Sequence, residues 1–311
     1  MSIISQKVPI FVPKFGVMKH IVLILALFLA LPSPGDAKKR AFLVGISKYR
    51  ANGRSAWVNI HGKEDVDSLA PALIKKGFSV STLVNEQATY QGIVNSLKGL
   101  ISDTKRGDVV FIHFSCHGQP VEDGLLGHFP KDEKDGYDEA IVPIDAGRVY
   151  SSNGYKGEKH LTDDELNGYI KSLRTKIGPK GMLYVTLDAC HAGESSRKGI
   201  ETIRGTNEAL TSQTNTKYNP PRGNVRHYQV EKGINLSPVL FIEACRSYQR
   251  NSEIRVKGKE FGSLSYHLWQ TLKSMPKFDQ NASEFMNKVE NSAKKKGPWP
   301  KDQNLVTESS F

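Results

Sequence analysis

Two short apolar segments, each ending at a reactive side chain, constrain the fold of this chain more than any other feature. They cover residues 111–118 and 182–193, and each begins with β-branched and aromatic residues over the length of one strand. Such runs are typical of parallel strands that are buried on both faces of a sheet. Because the carboxyl ends of parallel strands meet at one edge of an open α/β sheet, we expect His117 and Cys190 to lie close together there. A thiol beside an imidazole is a cysteine nucleophile with its base.

Beyond residue 37, strand patterns alternate with helix patterns. We predict strands at 41–46, 78–84, 109–114, 140–143, 182–187 and 238–243, and helices at 63–76, 88–102, 261–274 and from the capping box of Thr162 and Glu165 onward. The segments 118–139 and 194–235 are polar and are predicted to be loops. Strands that are separated by helices imply parallel pairing and right-handed crossovers. The sequence therefore predicts an α/β fold with a mostly parallel central sheet that is covered by helices on both faces.

The first 37 residues differ in composition from the rest of the chain. Lys14 and Lys19 precede an apolar run at 21–31, and small residues ending at Ala37 follow it. This arrangement predicts a secretory signal peptide at 1–37 and one domain at 38–311, hence a secreted or periplasmic protein. The run is short for a membrane span, so we expect no stable span after signal removal. An uncleaved membrane anchor is the alternative.

Charge and cysteine content limit the partners of the chain. The formal net charge is +11, but the basic residues are scattered and 294–296 is the only dense run. We therefore expect that this run is a solvated, lysine-rich tail and that the chain has no nucleic-acid partner. Three cysteines do not suggest a disulfide framework. Cys245 is predicted to be a buried small hydrophobe, and a disulfide between Cys116 and Cys190, which would block the nucleophile, is left open.

The two reactive segments resemble the His-Gly and Asp-x-Cys-His-x-Gly motifs of caspase-like cysteine peptidases (clan CD, peptidase family C14), most closely those of the metacaspase branch. Further stretches resemble the same family in the same order, at 42–49, 62–66, 135–145, 243–249 and 261–264. The resemblance covers roughly residues 40–275. It implies the caspase-haemoglobinase fold and a thiol peptidase whose chemistry requires no cofactor.

The chemistry is predicted to rest on a Cys-His dyad. Cys190 is the candidate nucleophile, and His117 is the candidate base that later protonates the leaving amine. The resemblance implies an oxyanion hole formed by the backbone N–H groups of Gly118 and Cys190. Glycine suits position 118 because a side chain there would crowd the substrate carbonyl. A buried cysteine with an incidental histidine is the alternative without chemistry.

Substrate preference is suggested by side chains that share a face with the dyad. Residues two apart on a strand point to the same side, so Asp188 accompanies Cys190 and Ser115 accompanies His117. The resemblance implies that Asp65, Ser115 and Asp188 line an acidic S1 pocket, the pocket for the residue before the cleaved bond. Such a pocket would select Arg or Lys rather than Asp.

Calcium dependence is left open by the sequence. The resemblance implies a surface calcium site at Asp138, Asp163 and Asp164, which offer the hard oxygen ligands that calcium takes. Arg197 stands at the fourth family position, and its cation opposes metal binding. Asp163 and Asp164 also suit the start of a helix, where acidic side chains are favoured by the helix dipole.

The polar segment 194–235 is predicted to be flexible and exposed, and such loops are where proteolytic nicking concentrates. Family members often process themselves in this region. Self-cleavage is therefore expected after one of its basic residues, leaving two fragments associated through the shared sheet. The candidates are Arg197, Lys198, Arg204, Lys217, Arg222, Arg226 and Lys232.

Taken together, these features predict a secreted cysteine endopeptidase that is a monomer and cleaves protein or peptide substrates after Arg or Lys. A catalytically silent binding or regulatory protein on the same fold is the first alternative. The second is a zinc-binding protein that uses Cys116, His117, Cys190 and His191. Adjacent Cys-His pairs do not converge easily on one metal, and structural zinc sites use wider spacings.

Overall fold

The computed structural model of the protein describes residues 37–49, 56–127, 131, 133–191, 202–213, 217–219, 228, 230–278, 281–295 and 297–311. The predicted signal peptide, apart from Ala37, lies outside these residues, as does Arg197. Within the described part of the chain, no helix is long and apolar enough to span a membrane.

Strands and helices alternate along the first half of the domain, as the sequence predicts. The strands are β1 (Lys39–Gly45), β2 (Phe78–Val84), β3 (Val109–Ser115), β4 (His117–Glu122), β5 (Tyr137–Val142), β6 (Leu161–Thr162), β7 (Met182–Asp188), β8 (Val239–Glu243), β9 (Glu253–Val256), β10 (Lys259–Gly262) and β11 (Val306–Ser309). The helices are α1 (Gly62–Ile74), α2 (Tyr90–Asp103), α3 (Asp163–Ile177), α4 (Ser263–Ser274) and α5 (Ala282–Lys295).

The central sheet has the order β11-β8-β7-β3-β1-β2. Its strands pair in parallel except for β11, which joins the edge antiparallel to β8. The register aligns the ends of the central strands, with Ser115 opposite Asp188 on one side and opposite Gly45 on the other. The strand ends therefore deliver their last side chains to one edge of the sheet.

Alternating side chains of β3 belong to two separate hydrophobic clusters. Val110, Ile112 and Phe114 join the cluster that contains the apolar residues of α2 and α3. Val109 and Phe111 join the cluster that contains those of α1, α4 and α5. This period of two, with every residue of β3 buried, is what a sheet covered on both faces requires. The predicted fold class is confirmed.

The prediction of a polar loop over 118–139 is wrong at both of its ends. β4 and the start of β5 lie inside it and form an antiparallel hairpin that β6 extends to three strands. The reason is visible in β4, whose Gly, Gln and Pro residues lack the apolar signature of a central strand. Pro120 is tolerated because β4 is the edge strand of this small sheet.

Candidate active site

His117 occupies the first position of β4, directly beyond the end of β3, and is fully buried. Its ring stacks on Trp57 at 4.9 Å between centroids and contacts Tyr49 at 4.8 Å. Nε2 lies 2.7 Å from the carbonyl oxygen of Val58. A carbonyl only accepts hydrogen bonds, so Nε2 carries the ring proton when the imidazole is neutral.

The other ring nitrogen of His117 is the one available for chemistry. Nδ1 is buried and has no hydrogen-bond partner among the described residues. Burial lowers the pKa of His117 to about 4. The imidazole is therefore neutral at physiological pH and presents an unused lone pair on Nδ1.

Cys190 follows the end of β7 by two residues and is also fully buried. Its Sγ donates to the carbonyl oxygen of Gln249 at 2.8 Å, and its side chain packs against Cys245. In this state the Gln249 carbonyl is a hydrogen-bond partner of the Cys190 thiol. The chain's three cysteines all lie in described segments and are free thiols, so Cys116 and Cys190 are not joined. Cys245 is buried, as predicted.

One carbonyl oxygen accepts from both of the N–H groups that were expected to form the oxyanion hole. The Gly118 and Cys190 backbone nitrogens lie 3.3 and 3.0 Å from the oxygen of Arg204. The next residue, Gly205, forms bridges to Gly118 and to Cys190. The backbone of residues 204–205 therefore crosses the site between the two predicted catalytic positions. A Cβ at Gly118 would lie 2.5 Å from the Cys190 oxygen, which excludes a side chain there.

The residues just before Arg204 run as an added strand along residues 251–253. The Arg204 N–H donates to the Asn251 carbonyl at 2.9 Å, and the Glu253 N–H donates to the Thr202 carbonyl at 2.9 Å. Ile203 and Ser252 form an antiparallel bridge. Pairing of an extended peptide with a free sheet edge is a common mode of peptide recognition. The chain's own segment 202–204 thus lies as a bound peptide would.

The Arg204 side chain fills a closed acidic pocket and is fully buried. Its Nη2 lies 2.7 Å from Asp65 Oδ2 and 2.8 Å from Glu253 Oε1. Its Nη1 lies 2.5 Å from Ser115 Oγ. Two of the three residues expected to line the S1 pocket, Asp65 and Ser115, therefore contact the guanidinium directly.

Asp188, the third expected pocket residue, has its carboxylate engaged elsewhere. Oδ1 accepts from Asn251 Nδ2 at 2.7 Å, and Oδ2 accepts from the backbone N–H and the hydroxyl of Ser265, both at 2.7 Å. The closest approach of this carboxylate to the Arg204 guanidinium is 3.9 Å, and the Asp188 backbone carbonyl lies 3.5 Å from Arg204 Nη1. Asp188 therefore acts on the guanidinium as a nearby charge. Its hydrogen bonds also hold Asn251 and Ser265, which lie on the two chain segments that flank the pocket.

Three carboxylates lie at or near the pocket, those of Asp65, Asp188 and Glu253, and their combined negative charge favours a bound cation. Burial raises the pKa of Asp65 to about 7, although the Arg204 charge acts in the opposite direction. Burial also opposes ionisation of Glu253, but Arg204 and His61 together hold its pKa below the usual value. For Arg204, burial disfavours the charged form, and the attraction of Asp65, Asp188 and Glu253 nevertheless raises its pKa.

Sequence reasoning did not find Glu253 or His61. Glu253 lies at the start of β9 with its side chain 1% exposed, and its Oε2 lies 2.6 Å from His61 Nδ1. No local pattern distinguishes this glutamate from the other acidic residues, because its position in the pocket depends on the turn between β8 and β9. The prediction that 194–235 is an exposed loop is wrong at Arg204, whose side chain has 0% exposure. Of the other candidate cleavage sites, Arg197, Lys198, Arg222 and Arg226 lie outside the described residues.

The candidate calcium residues belong to a cluster of carboxylates at β5 and the start of α3. Oδ1 of Asp138 and Oδ1 of Asp163 are buried without a hydrogen-bond partner among the described residues. Burial, followed by repulsion from Asp123 and Asp164, raises the pKa of Asp138 to about 7. The same forces, led by burial, raise the pKa of Asp163 well above its usual value.

The donor chemistry of this acidic cluster suits a hard cation, since orphaned carboxylate oxygens are costly without a positive charge. As arranged here, however, no three acidic, His or Cys side chains of the described residues lie where they would hold a metal ion. The same holds for the alternative zinc site. Burial raises the pKa of Cys116 to about 12, and Cys116 packs in a hydrophobic cluster, so it is not poised as a thiolate ligand.

A mostly parallel sheet with a thiol and an imidazole just beyond two neighbouring strand ends defines a caspase-type α/β protein. A family model described as metacaspase, peptidase C14 domain, matches residues 39–196, just over half of the chain. The chain belongs to this family.

Similar proteins include Metacaspase-1 of Schizosaccharomyces pombe, which is 27% identical over 276 residues, covering 78% of this chain and 61% of that protein. Metacaspase-2 of Trypanosoma brucei brucei is 30% identical over 177 residues, covering 53% of this chain and 44% of that protein. The chain thus spans roughly half to three fifths of the length of these relatives. In fold, it is similar to protein GSU0716 from Geobacter sulfurreducens, with a TM-score of 0.58, 19% identity and coverage of 88% of this chain and 93% of that one.

Proposed function

We propose that this protein is a cysteine endopeptidase that cleaves after Arg or Lys and that it first cleaves itself between Arg204 and Gly205. The observation that carries the proposal is the double engagement of Arg204. Its side chain is ion-paired in a pocket with Asp65 and Glu253, while its carbonyl oxygen accepts from both Gly118 and Cys190 N–H groups. An arginine held in this way has the position of a substrate residue before the cleaved bond.

The chemistry follows from the protonation states. Cys190 Sγ turns from the Gln249 carbonyl, loses its proton to Nδ1 of neutral His117 and attacks the Arg204 carbonyl carbon. The developing oxyanion stays on the two N–H donors, which already face it. Collapse breaks the Arg204–Gly205 bond, and His117 transfers the proton to the Gly205 amine. Water then hydrolyses the thioester and restores the thiol.

The intact segment also closes the site to other substrates. A peptide in trans needs the Asp65 and Glu253 carboxylates and the edge of residues 251–253, all of which the chain itself occupies. Self-cleavage is therefore the expected first step toward activity on other proteins. If this segment is never cut, the protein would remain catalytically silent. The experiment below distinguishes this alternative from the peptidase.

The test is hydrolysis of fluorogenic peptides with Arg, Lys or Asp before the fluorophore. The purified wild type is expected to cleave the Arg and Lys peptides and to leave the Asp peptide intact. Cys190→Ala and His117→Ala are expected to be inactive while remaining folded, and the two losses should not add in the double variant. Activity of Cys190→Ala above a few per cent of wild type would refute the nucleophile.

We further propose that Asp138, Asp163 and Asp164 bind a structural calcium ion, which would neutralise their crowded carboxylates. Because no three acidic side chains of the described residues are placed to hold a metal ion as arranged here, binding requires these side chains to move together. The ion would supply stability and take no part in the bond-breaking steps.

Export to the periplasm or the cell exterior is likewise proposed, on the sequence of residues 1–37 alone, with the mature protein acting as a monomer. N-terminal sequencing of exported protein tests the signal peptide, and a mature chain that begins at Lys38 is the expected result.

A further inference from the structure

The segment that follows the proposed cleavage site is bound along the protein as closely as the arginine itself. Gly205 is the first residue after the bond. A Cβ placed on it would lie 1.9 Å from the Cys190 oxygen and 2.7 Å from the Cys190 carbonyl carbon. Both contacts are to backbone, which has no rotamer that relieves them. The position directly after the cleaved bond therefore accepts glycine and excludes any larger residue.

The fourth residue after the bond, Glu208, is held by a cation and an amide. Arg148 Nη2 lies 2.8 Å from the Glu208 carboxylate, and Gln119 Nε2 donates to the Glu208 carbonyl at 2.8 Å. Gln119 is fully buried, and His160 Nε2 fixes its amide oxygen at 2.9 Å. The Arg148 guanidinium lies 5.6 Å from the ring centroid of Trp57, which also stacks on His117.

The sixth residue, Leu210, is anchored by backbone and side chain together. Its N–H donates to the Pro120 carbonyl and its carbonyl accepts from the Glu122 N–H, both at 2.8 Å. These bonds cover the edge of β4 that β5 does not pair with. The Leu210 side chain is 1% exposed and packs with Val121 and Ala140.

We propose that residues 205–210 mark a second recognition site, which reads an extended peptide beyond the cleaved bond. Its specificity is glycine at the first position, an acidic residue at the fourth and leucine at the sixth. This inference rests on the proposed peptidase function and extends it from the residue before the bond to those after it. Arg148 and the edge of β4 are its specificity-determining elements.

The test uses internally quenched peptides of the sequence of residues 202–210, Thr-Ile-Arg-Gly-Thr-Asn-Glu-Ala-Leu, with the self-cleaved wild-type protein. Replacing the glycine by alanine is expected to lower kcat/KM on the order of 100-fold, since overpacking against a rigid backbone is strongly unfavourable. Replacing the leucine by alanine should cost roughly 10- to 100-fold through lost apolar burial. Replacing the glutamate by glutamine should cost about threefold, since the Glu208 carboxylate is half exposed.

A matched pair of enzyme variants assigns the acidic preference. Arg148→Gln should bring the ratio of kcat/KM for the glutamate and glutamine peptides to about one, whereas Arg106→Gln, an exposed arginine at the opposite end of β3, should keep the wild-type ratio. Cleavage of all the peptides at equal rates would overturn this inference and leave the Arg specificity intact. Failure to cleave any of them would overturn the proposed function and this inference with it.

Discussion

The two nitrogens of His117 have different roles. Nε2 is committed to the Val58 carbonyl, which leaves Nδ1 as the proposed proton acceptor, and the low pKa of about 4 keeps this nitrogen unprotonated over the physiological range. Among the acidic residues that contact the Arg204 guanidinium, it is Asp65 whose pKa lies near neutrality, because burial raises it to about 7. The pH dependence of activity is therefore expected to report on the pocket rather than on the base.

This assignment gives a pH prediction with a definite sign. With an arginine in the pocket, as in this structure, the pKa of Asp65 is about 7, so at lower pH Asp65 is expected to bind a proton and to attract a substrate arginine less strongly. We expect kcat/KM for an Arg peptide to fall by up to about tenfold per pH unit as the pH drops below 7. The Asp65→Asn variant should be weaker throughout and lack this limb. A wild-type profile that is flat from pH 5 to pH 8 would contradict the role of Asp65.

Glu253 is predicted to favour arginine over lysine. Nη2 of Arg204 bridges Asp65 and Glu253, whereas a lysine ammonium is a single point charge that ends one bond earlier. Glu253→Gln should lower kcat/KM for Arg peptides by roughly 10- to 100-fold, the range of a charge-assisted hydrogen bond, and for Lys peptides by less. Glu260→Gln, at a surface ion pair with Arg255, is the matched control. Equal losses on both peptides would refute this discrimination.

At the scale of elements, strands and helices with a strong apolar period could be predicted from the sequence. β2 was predicted to the residue and β3 to within one residue. The Thr162 cap is confirmed by its bond from the Glu165 N–H at 3.3 Å, although the Glu165 carboxylate accepts from Tyr90 rather than from the cap. These features depend on neighbours in sequence, which a local pattern records.

Elements that depend on distant partners were missed. β9, β10 and β11 have four residues each. β9 and β10 pair with each other, and β11 pairs with β8 at the edge of the central sheet, so each strand depends on a partner rather than on its own sequence pattern. α5 was also not predicted. The buried residues Ile203, Arg204 and Leu210 each contact a different part of the protein, so segment 202–210 has no regular spacing of apolar residues. The sequence therefore predicts a flexible loop there. Within the candidate site, the His117–Cys190 dyad, Asp65 and Ser115 could be proposed from sequence motifs. Glu253 and Arg148 could not.

Asp188 couples two elements, and its substitution is expected to affect stability as well as activity. Its carboxylate accepts from the Ser265 N–H in the first turn of α4, a helix end whose donors otherwise lack partners within the helix. Asp188→Ala should lower the free energy of unfolding by about 1–3 kcal/mol, since buried donors are left unsatisfied. Chemical denaturation measures this loss. A variant as stable as wild type would show that Asp188 serves the substrate charge alone.

At the scale of the molecule, the acidic cluster gives a prediction about calcium. Millimolar calcium is expected to raise the Tm of the wild type by about 2–4 °C or more, because binding to the folded state alone stabilises it. The increase should be absent in Asp138→Asn and should diminish below about pH 7, where Asp138 takes up a proton. Asp302→Asn, at an exposed acidic residue that does not belong to the cluster, is the control. A Tm that calcium does not change would exclude the proposed ion.

The proposed cleavage after Arg204 would divide the central sheet between two fragments. β1, β2, β3 and β7 lie before the bond, whereas β8 and β11 lie after it, and β7 pairs with β8 along five residue pairs. The main clusters also contain residues from both sides of the bond. The fragments are therefore expected to stay together under native conditions and to separate only when the protein is denatured.

The most direct test of this account is the intact mass of freshly purified protein under denaturing conditions, compared for wild type, Cys190→Ala, Arg204→Gln and the control Lys232→Gln. We predict that the wild type and Lys232→Gln yield two fragments that meet at Arg204 and Gly205. Cys190→Ala and Arg204→Gln should remain uncut at that bond. A wild type that stays whole, a first cut at another residue, or the same cut in Cys190→Ala would contradict the account.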